Sequence, residues 1–183
     1  TQSNDYEFSR YTINEHWDAG RADVESTLSS EAWKNREPPK DGVLVLAHDP
    51  SLNPDLVRGP DGAWLSAKGP PINTLTLAEL TRYDVGRINP ASAYAKQYPE
   101  QQPSDGQQIP TLADLFGLGS GKAVRFNIET KLTPTSAAET PDPATFARLA
   151  VGVVRNSGMS ERVTVQSFDW RTLVEVKKLA PEI

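Results

Sequence analysis

Apolar residues fall into a few short runs, and long polar stretches separate them. Residues 1–42 are polar with scattered aromatics and show no period-2 run; the pattern there predicts at most a short helix from about Asp23 to Lys34. At Gly42 the pattern changes. Val43-Leu44-Val45-Leu46-Ala47 is a continuous apolar run behind the Asp41-Gly42 turn signal, and it ends at His48-Asp49-Pro50, so it predicts a buried strand. Ser51 to Pro110 is rich in Pro, Gly, Asn and Gln, with one short helical stretch around Leu75 to Tyr83, and predicts a long decorated connection.

Regular structure resumes at Thr111, which caps a short helix predicted through Leu118. A Gly-rich turn then leads into a second strand, Val124 to Lys131, whose alternation sets Asn127, Glu129 and Lys131 on one face. Asp142-Pro143 opens a helix in which Phe146, Leu149, Ala150, Val153 and Val154 recur at helical spacing before Gly158. Val163 to Phe168 predicts a third strand, and Asp169 caps a helix with Leu173, Val176 and Leu179 on a common face. Strands alternating with helices imply an α/β class with a parallel sheet, either a barrel or an open sheet, and the pattern does not choose between them.

Composition changes this picture in specific ways. A length of 183 residues favours one domain, and 15 Pro with 12 Gly against 37% hydrophobic residues fits core segments joined by long irregular loops. The net charge of −5 comes from scattered carboxylates, and no Lys/Arg cluster marks a nucleic-acid footprint. With no Cys, disulfides, thiolate metal ligands and a Cys nucleophile are excluded, while the compartment stays undecided. No apolar run approaches the ~20 residues of a membrane-spanning helix. The Gly117–Gly121 turn precedes a strand instead of opening a helix, which argues against a dinucleotide fingerprint.

Candidate chemistry gathers at predicted strand ends, where the active sites of parallel α/β folds lie. His48 and Asp49 end the first strand, although a rim histidine and a turn-forming aspartate would look the same. Glu129 and Lys131 are two ionisable groups on one face of a buried strand, a costly arrangement unless they pair or meet a ligand. They are either a structural ion pair or a carboxylate for a hard cation beside an ammonium for a phosphate oxygen. Gln166 and Asp169 close the third strand; Gln166 is a candidate substrate contact or a backbone partner, and Asp169 an N-cap.

Four strings in fixed order, Lys40 to Leu52, Ile109-Pro110-Thr111-Leu112 with Asp114-Leu115, Phe126 to Lys131, and Val165 to Trp170, resemble the glycerophosphodiester phosphodiesterase family over residues 40–183. The resemblance implies a TIM (β/α)8 barrel, here partial, in place of an open sheet. It further implies metal-assisted hydrolysis of small-molecule glycerophosphodiesters to an alcohol and glycerol phosphate, with calcium or magnesium and two histidines as acid and base. On that resemblance His48 matches the second histidine, Glu129 a metal-binding carboxylate and Lys131 a basic residue near the phosphate.

The chain departs from the family pattern before Lys40. The family's His-Arg-Gly and Glu-x-Asp elements are missing; counting back from His48 lands on Trp33-Lys34-Asn35, Asp23-Val24-Glu25 is inverted and too early, and His16 lacks a following Arg-Gly. Residues 1–42 are therefore expected to be an atypical segment joined to a partial barrel domain at 43–183, incomplete at both ends, and the chain as written is expected to turn over poorly. The competing expectation is an inactive remnant that at most binds a ligand or partner. Trp64, Tyr83, Tyr94 and Tyr98 in the long connection either select the substrate headgroup or pack the loop.

Overall fold

The computed structural model describes residues 42–136 and 138–183. The predicted helix at 23–34 and the residues His16, Asp23, Glu25 and Trp33 to Asn35 lie outside the described residues. Within them the order is helix α1 (Leu77–Leu80), helix α2 (Leu112–Leu118), strand β1 (Phe126–Glu129), helix α3 (Pro143–Asn156), strand β2 (Val163–Gln166) and helix α4 (Trp170–Leu179). Single 3-10 turns occur at Ile72–Thr74, Ala95–Gln97 and Ser160–Arg162.

Each helix begins where its sequence supplies an acceptor for orphan N–H groups. Thr76 with Glu79 and Thr111 with Asp114 form reciprocal capping boxes for α1 and α2. The Asp142 carboxylate accepts from the N–H groups of Ala144 and Thr145, both at 3.0 Å, with Pro143 pre-set for the first turn of α3. Gly158 takes φ +66° just past the end of α3, which lets Met159 N–H reach back to Val154 O at 2.9 Å.

β1 and β2 pair in parallel across α3, with Phe126 opposite Val163 and Glu129 opposite Gln166. The α/β character is as expected; among the described residues the sheet has these two strands, and no closed barrel is present. Three apolar clusters hold the elements. Leu112, Phe116, Val154, Met159 and Val163 join α2, α3 and the sheet. Ala147, Val151, Val176 and Ala180 form the seam between α3 and α4, where small side chains allow close approach. On α4 the buried residues are Thr172 and Val176, with Ala180 buried just past the helix end, whereas Leu179, expected on that face, is exposed.

The run 43–47, expected as a buried strand, differs from that expectation. Val43 to Leu46 are half-buried, and the run makes one isolated antiparallel bridge, Val45 with Thr111. Leu46 N–H donates to Pro110 O and Leu112 N–H to Leu44 O, both at 2.9 Å. The ladder cannot lengthen there, since Pro110 has no N–H and Leu112 already begins α2. Leu44 and Leu46 still pack on the first cluster beside Phe126 and Ile128.

The long connection has a core of its own, Leu52, Val57, Leu80 and Ile109. An ion cluster closes it: Arg58 donates to Asp84 and, at 2.6 Å, to Asp105, which Arg87 also grips at 2.8 Å. Asp84 further accepts from Gly86 N–H at 2.8 Å and Gly106 N–H at 2.9 Å. Gly86 is required by proximity, for a Cβ there would stand 1.7 Å from Ser104 O.

Candidate active site

Short parallel strands send the candidate residues to one end of the fold. Glu129 is the last residue of β1, Gln166 the last of β2, Lys131 comes two residues after β1 ends, and His48 follows the 43–47 run. A cleft of about 500 Å³ opens there, lined by His48, Asp49 and Lys131 at its polar end and by Ile72, Leu80 and Phe146 among its apolar residues.

His48 projects from the rim with its side chain 78% exposed, and its Nδ1 lies 2.9 Å from Asp49 Oδ1. The other Asp49 oxygen accepts from Asn53 Nδ2 at 2.7 Å. The His48 bond is the main cause that holds the Asp49 carboxyl below the usual carboxylate range, with the Asn53 bond and the His48 and Lys131 charges adding to it against the opposing effect of burial. A charged Asp49 thereby fixes the imidazole by one nitrogen and leaves Nε2 for an incoming group.

Lys131 Nζ donates to Glu129 Oε1 at 3.0 Å, with about a third of the Lys131 side chain and a quarter of the Glu129 side chain exposed. The two are thus partly solvated at the strand end, not enclosed within a longer strand as the sequence pattern suggested. Lys131 also stands 5.6 Å from the centroid of the exposed Phe168 ring. Gln166 is exposed and accepts from Asn127 Nδ2 at 2.8 Å. It neighbours Glu129 through strand register but does not line the cleft. Asp169 is an N-cap: it accepts from Arg171 N–H at 3.1 Å, and the Arg171 guanidinium holds its carboxyl low.

Two contributors were not legible as such. Asp49 looks like a turn former before Pro50, and Asn53 carries no chemical signature, but the four-residue spacing that lets Asn53 reach Asp49 is in the sequence. A hard cation such as calcium or magnesium favours six or more oxygen ligands. Among the described residues no three His, Asp or Glu side chains come together to supply them, and one Glu129 oxygen is already engaged by Lys131. The described residues therefore do not make a cation shell.

Fold and cleft together define an α/β protein with a histidine, an aspartate and a lysine lining one cleft beside the strand ends. The family model described as Glycerophosphoryl diester phosphodiesterase family matches residues 39–183. The chain belongs to that family. A second family model, described as Patatin phospholipase, matches residues 1–40, so the two matched ranges meet at residues 39 and 40.

Among curated proteins, a glycerophosphodiester phosphodiesterase of Caldanaerobacter subterraneus subsp. tengcongensis is 28% identical over 144 residues, which cover 79% of this chain and 48% of the relative. A solved structure from Silicibacter pomeroyi DSS-3, assigned as a glycerophosphoryl diester phosphodiesterase, matches with a TM-score of 0.72 and 29% identity over 78% of this chain and 49% of that one. The chain spans about half the length of these relatives.

Proposed function

We propose that this protein hydrolyses glycerophosphodiesters, breaking a P–O bond to release an alcohol and glycerol phosphate. The observation that carries the proposal is that His48, held by Asp49, and Lys131 face one cleft. A phosphodiester brings one negative charge, which increases on the phosphoryl oxygens as water attacks. The Lys131 ammonium offsets that charge, and its bond to Glu129 aims it. His48 moves the proton at one of the two oxygens that change bonding, accepting it from the attacking water or giving it to the departing alcohol oxygen. Asp49 keeps the ring oriented in either role. The divalent cation that the family resemblance implies would add further charge at the phosphoryl oxygens; the steps above are those of the chain's own side chains.

Phosphorus NMR of the reaction mixture tests the proposal. The protein is incubated with glycerophosphoethanolamine and glycerophosphoserine, with calcium, with magnesium and with a chelator. Glycerol phosphate as the product supports the assignment. A phosphorylated headgroup, or no product under all three conditions, overturns it.

A further inference from the structure

β1 ends at Glu129 and β2 at Gln166, yet hydrogen bonds continue to join the two segments beyond those ends. Thr130 N–H donates to Gln166 O at 3.0 Å, which carries the parallel pattern one residue on. In a regular parallel ladder the Thr130 carbonyl would next accept from Phe168 N–H. Instead it accepts from the Ser167 hydroxyl at 2.9 Å and from Leu132 N–H at 3.2 Å, while the chain after β2 bends toward α4. A side chain takes the place of the ladder donor.

The direction of the Ser167 hydroxyl is set by its second partner. Asp169 N–H donates to Ser167 Oγ at 3.1 Å. A backbone N–H can only donate, so Oγ is the acceptor in that bond and its own proton goes to the Thr130 carbonyl. Ser167 is half-buried. Thr130 is buried, and strand alternation puts its side chain on the face opposite Glu129 and Lys131.

Peptide planarity passes this clasp on to the cleft. The Thr130 N–H lies in one plane with the Glu129 Cα, and the Thr130 carbonyl in one plane with the Lys131 Cα. Holding both groups therefore sets the starting points of the Glu129 and Lys131 side chains, whose tips meet at 3.0 Å. Lys131 lines the cleft from there, and its Nζ stands 5.6 Å from the ring centroid of Phe168, the residue after Ser167. We infer that Ser167 is a positioning residue for Lys131, its hydroxyl holding the Thr130 carbonyl so that the ammonium meets a phosphate oxygen in the cleft. The inference rests on the phosphodiesterase reading for the ligand, but it is read from binding, without turnover.

The test is a double-mutant cycle on the whole 183-residue chain, with glycerol phosphate affinity measured by calorimetry beside a thermal melt of each sample. Ser167→Ala deletes one hydroxyl at a half-buried position, so it empties no core site. It is expected to weaken glycerol phosphate binding by about two- to tenfold, the net contribution of one neutral hydrogen bond. Ser167→Thr keeps the hydroxyl and is expected to keep the parent's affinity. In a Lys131→Met background Ser167→Ala is expected to change the affinity no further, because residues that act through one another are not additive. An equal loss from Ser167→Ala in both backgrounds, a Ser167→Thr chain no better than Ser167→Ala, or a Ser167→Ala chain that melts lower but binds as the parent does overturns the positioning role and leaves the ligand role of Lys131 standing. No binding by the parent, or Lys131→Met that binds as well as the parent, overturns that ligand role and the positioning role with it. The expected cycle without hydrolysis of any glycerophosphodiester supports the positioning role and overturns the phosphodiesterase reading.

Discussion

Replacing Lys131 with Met separates a phosphate-binding ammonium from a structural ion pair. The variant keeps a four-atom unbranched stem and deletes the charge, so the losses are the 3.0 Å bond to Glu129 and a weak contact with the exposed Phe168 ring. Both partners of the pair are a quarter to a third exposed, and such pairs contribute about 0–1 kcal/mol. For a domain of this size that is a fall in Tm of roughly 2–4 °C at most. A charge-assisted bond to a phosphate oxygen contributes about 1.5–3 kcal/mol. Its loss weakens affinity for glycerol phosphate by roughly one to two powers of ten. Calorimetric titration of glycerol phosphate, beside a thermal melt of the same samples, measures both. A large fall in Tm with unchanged glycerol phosphate affinity would refute the ligand role and establish the structural pair.

Two further predictions concern the long connection and acid stability. Asp84→Asn keeps the shape but removes the charge that anchors Arg58 and two N–H groups, and should cost about 2 kcal/mol and speed proteolysis between residues 87 and 106; an unchanged melt and cleavage rate would count against the ion cluster as the closure. Asp84 ionises below its ordinary 3.8: burial opposes this, and Gly106 N–H, Gly86 N–H and Arg58 outweigh it. Asp49 is lowered by its His48 bond and Asp105 by its Arg87 bond. Carboxylates lowered in the native state contribute stability in full above their unfolded pKa, and it is lost as pH falls through the native values. Denaturant midpoints should therefore fall steadily below about pH 4, and midpoints that rise in that range would contradict the assigned pairs.

How much of this was legible in the sequence depends on the range of the signal. Asp142-Pro143 and Thr111 with Asp114 are local capping signals, and their helices start where the residues indicate. β1 and β2 were visible as apolar alternation, but both stop short of the predicted ends, at Glu129 and Gln166, because pairing and not propensity sets a strand's length. The 43–47 run misled for a related reason: its apolar content matches a buried strand, whereas its hydrogen-bond partners were fixed by Pro110 and the start of α2 far along the chain. At the candidate site, His48 stood out because it ends an apolar run, where active sites of parallel folds gather, and Glu129 and Lys131 because two ionisable groups on one face of a buried strand are costly unless paired or used. The Asp49–Asn53 support of His48 and the pairing of Tyr94 with Tyr98 did not stand out, since each depends on the path of an irregular loop.

Release of glycerol phosphate per folded molecule, compared between the parent chain and His48→Ala, tests the central claim most directly. The His48 side chain is 78% exposed, so its removal should leave the melt unchanged. The account predicts slow release by the parent and a fall of about a hundredfold or more in the variant. Equal rates for the two proteins, or no release by the parent, would contradict it.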